Sequence, residues 1–378
     1  MDASCKIQGG IHFFFLVHNM CPELWVHIKI VSNFWGTLHL GGVLFFYAKN
    51  LKLFVALSKY IFFIFWICYN WFMSKILCVC LSATIQKTIL FDSLNINCVN
   101  RSKGYRLDAS GKAVNSCRVL NQLEKGCSVA LCSLGKKNKA LFLELAQKDA
   151  MKIIPIEVSG FTRECCTLID SSKATTTELV VGEPVCSDNF DKKEYQLLSI
   201  IMKQIKKVDA VLLAGSKPLG WSENIYSKIA EITTKNNKIF FADYWGKDLL
   251  STIQTAIPSI IKINEEEFIN TFCCDLTSEN ISFADDELKN KIVNKSQELK
   301  NIIIVTRGCK STFSAANGVF YETPVKKVNA VNVIACGDSF SAGFLYEYIK
   351  SKNINASLQT GTACAAKNAE SLCPGSIV

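Results

Sequence analysis

Histidine is almost missing from this chain. The 378 residues contain four histidines, His12, His18, His27 and His39, and all of them lie near the amino terminus. An imidazole, the side chain most often used as a general base, is therefore excluded after residue 39. Any acid–base chemistry in the remaining residues has to use a different side chain.

The cysteines lack the spacing of a disulfide framework or a zinc site. There are 18 of them, yet the chain has no CxxC pair of the kind that holds zinc. Three pairs are too close together for ordinary bridges: Cys78 and Cys80, Cys165 and Cys166, and Cys273 and Cys274. Many others lie in apolar runs such as VALCSL, where cysteine behaves as a small hydrophobic residue. We therefore expect a reduced, cytoplasmic protein.

The chain also lacks a block of basic residues. Its formal net charge of +9 comes from scattered lysines and arginines. This distribution argues against a nucleic-acid partner and suits anionic small molecules. The length allows one large α/β domain, or two smaller ones, with a well-buried core.

Residues 1–72 differ in composition from the rest. The run LFVALSKYIFFIFWICYNWF, residues 53–72, is about as long as a bilayer-spanning helix needs to be. Lys59 inside it would cost about 3 kcal/mol at the membrane centre. Two interpretations stay open for this apolar extension: a membrane anchor, or an upstream translation artefact or poorly structured segment. We expect membrane contact only if residues 53–72 form a helix, and we place any chemistry in a separate domain, residues 73–378.

From residue 73 onward, short apolar strands alternate with amphipathic helices. This alternation predicts an α/β fold whose mainly parallel central sheet is covered by helices on both faces. Functional loops are then expected at the carboxyl ends of the strands. The strand candidates are residues 76–82, 127–135, 210–215, 238–244, 259–263 and 301–306.

Two segments, around 88–108 and 163–181, interrupt this alternation. Both are rich in Thr, Ile, Val, Asn and Ser and lack a helical period. They predict a small accessory β-sheet. Such a sheet could form a lid over a site or pair with a second subunit.

The stretch DASGKAVNSCRVLNQL, residues 108–123, enters a predicted helix through small residues. Ser110 and Gly111 would let backbone N–H groups approach an oxyanion, and Lys112 would add a positive charge. Asn115, about one turn later, can hydrogen-bond a hydroxyl. The alternative is a turn followed by an ordinary helix.

The stretch VNVIACGDSF, residues 331–340, places an acidic residue behind a run of small residues at another helix start. Taken alone, Asp338 or Ser339 could simply cap that helix by accepting hydrogen bonds from its free N–H groups. The alternative is a catalytic carboxylate beside oriented backbone N–H groups.

Together these stretches resemble the signatures of the PfkB (ribokinase-like) carbohydrate kinases, and more narrowly the 1-phosphofructokinase and tagatose-6-phosphate kinase branch. The matching segments stand in that family's order and cover about residues 75–378. They are LSATIQKTI (81–89), VNRSKGYRLDASGKAVNSCRVL (99–120), FTRECCTLID (161–170), TTTEL (175–179), AGSKP (214–218), IIKINEEEF (260–268), VTRGCKST (305–312), VNVIACGDSF (331–340) and CAAKNAESLCPG (364–375).

The resemblance implies a ribokinase-like fold with a β-sheet lid. It also implies transfer of the γ-phosphoryl group of ATP, with Mg²⁺, to a hydroxyl of fructose 1-phosphate, tagatose 6-phosphate or fructose 6-phosphate. Asp338 matches the family's catalytic base. The backbone N–H groups of Ala335, Cys336 and Gly337 match its anion hole.

The remaining site residues follow from the same resemblance. Asn264 and Glu267 match positions that organise Mg²⁺ and phosphate, although a charged helix start is the alternative there. The nucleotide site would be lined by Thr306, Gly308 and Asn368.

Acceptor binding is likewise implied by matching positions. Lys112 and Arg163 would bind the phosphate that the sugar already carries, and an exposed lid arginine is the alternative for Arg163. Gly111 and Asn115 would hold sugar hydroxyls. Gln86 occupies the position of the family's sugar-binding aspartate.

Two other functions stay open, and departures from the family's pattern at Gln86, Ala335 and Cys336 argue for the first of them. Gln86 replaces a carboxylate, and Ala335 and Cys336 replace the glycine and alanine of the family's anion hole. If residue 335 has a positive φ, alanine costs about 1–3 kcal/mol there. A pseudokinase that binds nucleotide or sugar phosphate without turnover is one alternative, and a kinase of unphosphorylated sugars or nucleosides is the other.

Overall fold

The computed structural model describes residues 75–182, 188–273 and 283–378, and, nearer the amino terminus, only the backbone of three strands. Contacts divide the chain into two units, Met1–Trp71 and Phe72–Val378. In the first unit, strands β1 (Ala3–Ile7), β2 (Ile11–Leu16) and β3 (His27–Val31) form an antiparallel sheet in that order. The predicted apolar run, residues 53–72, lies outside the described residues. Within the part of the chain that is described, no helix is both long and apolar enough to cross a membrane.

The second unit contains a nine-stranded sheet and a four-stranded sheet. The strands of the large sheet are β4 (Ile76–Cys80), β7 (Ser128–Gly135), β8 (Ile153–Val158), β11 (Ala210–Ala214), β12 (Ile239–Asp243), β13 (Ile260–Asn264), β14 (Ile302–Arg307), β15 (Lys310–Ala316) and β16 (Val319–Thr323). Their order is β16-β15-β14-β13-β12-β11-β4-β7-β8. All neighbours from β14 to β8 pair in parallel, and only the edge strands β15 and β16 are antiparallel. The prediction of a mainly parallel sheet is confirmed.

Helices cover both faces of this sheet. In the described part of the second unit they are α1 (Lys112–Leu123), α2 (Lys139–Lys148), α3 (Phe190–Gln204), α4 (Ile225–Lys235), α5 (Gly246–Thr255), α6 (Glu265–Phe272), α7 (Asp285–Leu299), α8 (Cys336–Ser351) and α9 (Ile354–Ala369). Strand β4 shows why its sequence is continuously apolar. Ile76, Cys78 and Cys80 face a core shared with α1, α2, α8 and α9, whereas Leu77 and Val79 face a core shared with α3 to α7. A strand that is buried on both faces has no polar side.

The four-stranded sheet is the predicted accessory sheet. Its order is β10 (Thr175–Val180), β9 (Arg163–Asp170), β5 (Thr84–Phe91) and β6 (Tyr105–Ser110). The segment 163–181 contains two of its strands, as expected. The prediction for segment 88–108 needs a correction. Only its two ends belong to strands, because residues 92–104 form an irregular connection between β5 and β6. There the Asn100 side chain bonds the backbone of Asn95, which replaces strand pairing.

The order of the large sheet reverses its direction of growth beside β4. The chain runs from β4 outward to β7 and β8, then returns to β11 on the other side of β4. Such a reversal opens a crevice at the carboxyl ends of the central strands. Strands β12 and β13 end nearby with Asp243 and Asn264.

Candidate active site

Asp338 lies inside a helix and does not cap it. Helix α8 begins at Cys336, and its N-cap residue is Ala335, whose side chain makes no capping bond. Asp338 is buried, and its Oδ2 accepts a hydrogen bond from Nδ2 of Asn115 at 2.8 Å. The interpretation of Asp338 or Ser339 as the N-cap is therefore wrong, because the helix starts earlier than either residue.

The loop before Asp338 is strained. Ala335 adopts a left-handed conformation with φ 66° and ψ 11°, which costs an L-residue roughly 1–2 kcal/mol. Residue 335 therefore has the positive φ at which an alanine is unfavourable. The next residues, Cys336 and Gly337, form the first turn of α8 at the positive end of the helix dipole, and the Cys336 N–H donates to the Val333 carbonyl at 3.3 Å.

Burial raises the pKa of Asp338 to about 6, and the nearby charge of Asp243 acts in the same direction. Lys112, the Asn115 hydrogen bond and Lys262 partly offset this rise. A carboxyl group with a pKa near the working pH is suited to proton transfer, because it is ionised when the reaction begins and can still hold a proton.

Asp243 and Lys262 belong to the same cluster, although the sequence analysis did not select them. Asp243 is fully buried at the end of β12, and its Oδ2 accepts hydrogen bonds from Lys262 Nζ at 3.2 Å and from Ser341 Oγ at 2.8 Å. Although burial opposes its ionisation, the charges of Lys262 and Lys112 hold the pKa of Asp243 below its ordinary value. One sequence signal could have found this pair: both charged residues stand in strand runs that are otherwise mostly apolar.

Gly337 leaves space for the side chain of Lys262. A Cβ atom at this position would lie 2.8 Å from Nζ of Lys262, so a larger residue would push the ammonium group away from the start of α8. The lysine therefore lies directly beside the backbone that precedes Asp338. Two carboxylates whose pKa values are pushed apart, with a buried cation bonded to one of them, are typical of acid–base sites.

Gly111 and Lys112 bring helix α1 to this cluster. Gly111 has φ 115°, and a Cβ there would lie only 3.1 Å from the Ser82 carbonyl oxygen and 3.2 Å from Cα of Ala83. Lys112 Nζ lies 3.6 Å from Asp243 Oδ1 and 3.7 Å from Glu267 Oε1. Burial alone would lower the pKa of Lys112, but the surrounding carboxylates raise it, and the side chain stays charged.

The other predicted acceptor-binding residues lie on the four-stranded sheet. Arg163 donates from Nε to Thr84 Oγ1 at 3.1 Å. Gln86 is buried and donates from Nε2 to Thr167 Oγ1 at 2.7 Å.

The strand register places a buried carboxylate opposite Gln86. Asp108 on β6 pairs with Gln86 on β5, and residues directly opposite each other project from the same face of a sheet. Asp108 is buried and accepts from Arg106 Nε at 2.8 Å through both carboxylate oxygens. No local sequence pattern identifies this residue, since only strand pairing shows that it neighbours Gln86.

Asn264 and Glu267 form a reciprocal cap at the start of α6. The Asn264 side chain accepts from the Glu267 N–H at 2.8 Å, and Glu267 Oε2 accepts from the Asn264 N–H at 2.9 Å. This arrangement is a capping box, as the alternative of a charged helix start predicted. It leaves Glu267 Oε1 outside the cap, 3.7 Å from Lys112.

A magnesium ion would find few protein ligands here. In the described ranges, no group of three or more His, Cys, Asp or Glu residues could hold a metal ion. Oδ1 of Asp243 is buried without a hydrogen bond, and Glu267 Oε1 is uncommitted to the cap. Mg²⁺ usually takes one or two carboxylates and completes its shell with water and substrate phosphates. These two carboxylates fit that pattern.

The three residues expected at the nucleotide site differ in how far their hydrogen-bonding groups are already used within the protein. Thr306 pairs with Asn264 across β13 and β14, and Gly308 has φ 61° in the turn after β14. Asn368 is fully buried. Its amide donates to the Ile334 carbonyl and to Cys336 Sγ, and its oxygen accepts from the N–H groups of two residues near the carboxyl end of the chain. These bonds use the whole hydrogen-bonding capacity of the amide.

A family model described as pfkB family carbohydrate kinase matches residues 75–375. The tetrameric inhibited form of phosphofructokinase-2 from Escherichia coli is 14% identical, and the alignment covers 79% of this chain and 94% of that one with a TM-score of 0.68. The same enzyme in complex with fructose-6-phosphate gives 15% identity, coverage of 79% and 94%, and a TM-score of 0.66.

A third similar structure is a possible 1-phosphofructokinase from Thermotoga maritima. It is 20% identical, with 79% of this chain and 93% of that chain covered and a TM-score of 0.68. At these identities the structures establish the fold, which is ribokinase-like.

Proposed function

Since this chain belongs to the pfkB family of carbohydrate kinases, we propose that it transfers the γ-phosphoryl group of ATP to a hydroxyl of a hexose phosphate. The observation that carries the proposal is the buried carboxylate of Asp338, which lies at the start of α8 within a cluster of two lysines and a second carboxylate. That arrangement supplies a base next to a positively charged surface, as phosphoryl transfer requires.

In this proposal Asp338 takes the proton of the acceptor hydroxyl. Asp243 keeps Lys262 and Lys112 in place and stays ionised itself. The two ammonium groups and the N–H groups of Ala335 and Gly337 stabilise negative charge on the transferred group, whereas the N–H of Cys336 already donates to the Val333 carbonyl. Mg²⁺, with Glu267 and Asp243 as its protein ligands, would neutralise charge on the ATP phosphates.

We assign the remaining residues to binding. Thr306 and Gly308 line the nucleotide site, whereas Asn368 shapes the loop before α8 and makes no direct contact with the nucleotide. Arg163 binds the phosphate that the acceptor already carries, because a guanidinium matches a phosphate bidentately.

The acceptor is expected to be fructose 1-phosphate, tagatose 6-phosphate or fructose 6-phosphate. The similar proteins from Escherichia coli and Thermotoga maritima are described as phosphofructokinases, which supports a hexose phosphate. The polar face of the small sheet, with Gln86 beside Asp108, offers an amide and a carboxylate to sugar hydroxyls.

We also propose a homodimer formed through the small sheet. Leu90, Tyr105, Leu179 and Val180 of this sheet are exposed apolar side chains, and a relative is described as tetrameric. Sedimentation velocity on the full chain and on Leu179→Asp tests this, and an unaltered monomeric protein contradicts it. The cysteines that the structure describes are all free thiols, which supports a reducing, cytoplasmic location.

A coupled assay of ADP release tests the proposed reaction. The purified chain, ATP and Mg²⁺ are combined in turn with each of the three hexose phosphates and with unphosphorylated fructose. Turnover with one of the phosphates and much weaker turnover with fructose is the expected result. Preference for fructose would favour the kinase of unphosphorylated sugars instead.

A pseudokinase is the second candidate, and two observations favour it. The methyl group of Ala335 stands in the strained loop before the anion hole, and Gln86 replaces a carboxylate with a neutral amide that is already bonded to Thr167. Titration calorimetry with ATP separates the two functions. Binding of ATP without ADP release for any acceptor would establish the pseudokinase.

A further inference from the structure

Helix α1 contains an arginine that the proposed reaction does not use. Arg118 is fully buried. Its Nε bonds Asp149 Oδ2 at 2.7 Å, Nη1 bonds the Pro374 carbonyl at 2.7 Å and Asn115 Oδ1 at 3.3 Å, and Nη2 bonds the Ala109 carbonyl. A buried guanidinium is costly unless it is paired and hydrogen-bonded. This one is satisfied on every nitrogen, and one of its bonds goes to a residue of the active site.

The contact with Asn115 decides which end of that amide faces Asp338. A side-chain amide presents an oxygen that only accepts and an NH₂ group that only donates, and the two ends have nearly the same shape. The Asn115 oxygen contacts Ser110 Oγ at 2.9 Å and Arg118 Nη1 at 3.3 Å, while its Nδ2 donates to Asp338 Oδ2 at 2.8 Å. A hydroxyl such as that of Ser110 can donate or accept, and it therefore tolerates either amide orientation.

Arg118 does not tolerate both orientations, because a guanidinium has donors only. If the Asn115 amide were reversed, its NH₂ group would face the guanidinium and its oxygen would face the carboxylate of Asp338. Both contacts would then be unfavourable, and Asp338 would lose its hydrogen bond.

We propose that Arg118 is a positioning residue for the reaction: its guanidinium fixes the orientation of the Asn115 amide, which in turn holds the carboxylate of Asp338. This inference rests on the proposed role of Asp338 as the base. The neighbouring contacts support a rigid arrangement, since Arg118 also ties α1 to the Pro374 carbonyl, and a Cβ atom at Gly375 would lie 2.6 Å from Cβ of Asn115. Gly375 therefore packs closely against the Cα and Cβ atoms of Asn115, which limits movement of that side chain.

The test measures the pKa of Asp338 directly. In protein with ¹³C-labelled aspartate, the Asp338 carboxyl signal is identified by its loss in Asp338→Asn, and its pH titration is followed by NMR. Arg118→Met should raise this pKa by about one unit, because the hydrogen bond that favours the ionised form is lost or weakened. The acid limb of the kcat profile should move to higher pH by a similar amount, with KM for ATP within about twofold.

Asp149→Asn is the matched control. It removes the ion pair of Arg118 at 2.7 Å and leaves the contact with Asn115 available. This variant should lose stability in urea unfolding but keep the Asp338 titration and the acid limb unchanged. If Arg118→Met fails to fold, Arg118→Lys serves instead, because lysine keeps the charge but cannot span both Asp149 and Asn115.

An unchanged Asp338 titration in folded Arg118→Met or Arg118→Lys overturns the proposal. A titration that moves equally in Asp149→Asn also overturns it, because the effect would then come from general loosening of α1. The NMR measurement needs no turnover. An inactive unaltered protein would refute the proposed kinase activity, and the titration would still decide the role of Arg118.

Discussion

The substitution Asp338→Asn should reduce activity and increase stability at the same time. Asparagine has the same shape as aspartate, and its side-chain oxygen can still accept the bond from Asn115 that now holds Asp338 at 2.8 Å. It cannot take a proton from a hydroxyl. We therefore expect kcat to fall by the 10²–10⁴-fold, in order of magnitude, that a general base contributes. ATP affinity should stay nearly unchanged.

The gain in stability follows from the pKa of Asp338, which burial raises from 3.8 to about 6 in the folded protein. Because the folded state holds the proton more tightly than the unfolded chain does, this group favours folding fully below pH 3.8. That contribution is lost as the pH rises through about 6. At about 1.4 kcal/mol for each tenfold change in proton affinity, ionised Asp338 costs the native protein about 3 kcal/mol at neutral pH.

Urea unfolding between pH 5 and pH 8 measures this cost. Asp338→Asn should be more stable than the unaltered protein by up to about 3 kcal/mol at pH 8 and by about half of that at pH 5. The same substitution at Asp170 is the control with the opposite sign. Hydrogen bonds from Ser172 lower the pKa of Asp170 to about 2, so Asp170→Asn should destabilise the protein at neutral pH, and this loss should shrink at acid pH.

Three outcomes would refute the reasoning about Asp338. A stability difference that does not change with pH would mean that the pKa of Asp338 is the same in the folded and the unfolded protein. Near-normal kcat in a folded Asp338→Asn protein would remove its assignment as the base. Lower stability of that variant at every pH would indicate instead that the carboxylate mainly holds the structure together.

The remaining predictions concern positions outside this carboxylate. Ala335→Gly should stabilise the protein in urea unfolding by about 0.5–1 kcal/mol, since relief of left-handed strain exceeds the added chain entropy of glycine; no gain would mean that the loop is unstrained. Arg163→Ala should raise KM for the sugar phosphate far more than KM for ATP in initial-rate kinetics, because a charge-assisted contact is worth about 1.5–3 kcal/mol; an unchanged sugar KM would place Arg163 outside the acceptor site. Gln86→Asp should lower the melting temperature and weaken acceptor binding, since the new carboxylate would face Asp108 across the strand pair. Addition of Asp108→Asn should reverse both effects. Tighter acceptor binding by Gln86→Asp alone would contradict the prediction. A chain that begins at Met73 should bind ATP in calorimetry as the full chain does; loss of binding would show that the preceding residues are needed for folding.

The alternation of strands and helices could be predicted from the sequence because it depends on local composition. Strands buried on both faces are continuously apolar, and every strand predicted for the central sheet was found within about two residues. Three strands of the central sheet, β8, β15 and β16, were not predicted, and the first two break this pattern. Strand β8 contains Pro155, and β15 reads KSTFSAA, which is polar and small. Neither sequence shows a long apolar run, since both strands lie towards the margins of the sheet.

The candidate site, like the fold, could be predicted from the sequence only in part. The sequence alone excluded a histidine base after residue 39, and its motifs selected Asp338, Gly111 and Lys112 as candidates. The partners of these residues come from tertiary structure. Asn115 and Asp338, now 2.8 Å apart, are separated by 223 positions in the chain, and no local pattern predicts that contact.

Charge and conformation at the site were also decided only by folding. The ends of β12 and β13 bring Asp243 and Lys262 together, and strand register places Asp108 opposite Gln86. Helix α8 begins before Asp338 because the chain turns at Ala335 in a left-handed conformation that the sequence would assign to glycine. Local sequence fixes which segments bury apolar surface, whereas the pKa of a carboxylate depends on which charges the fold brings next to it.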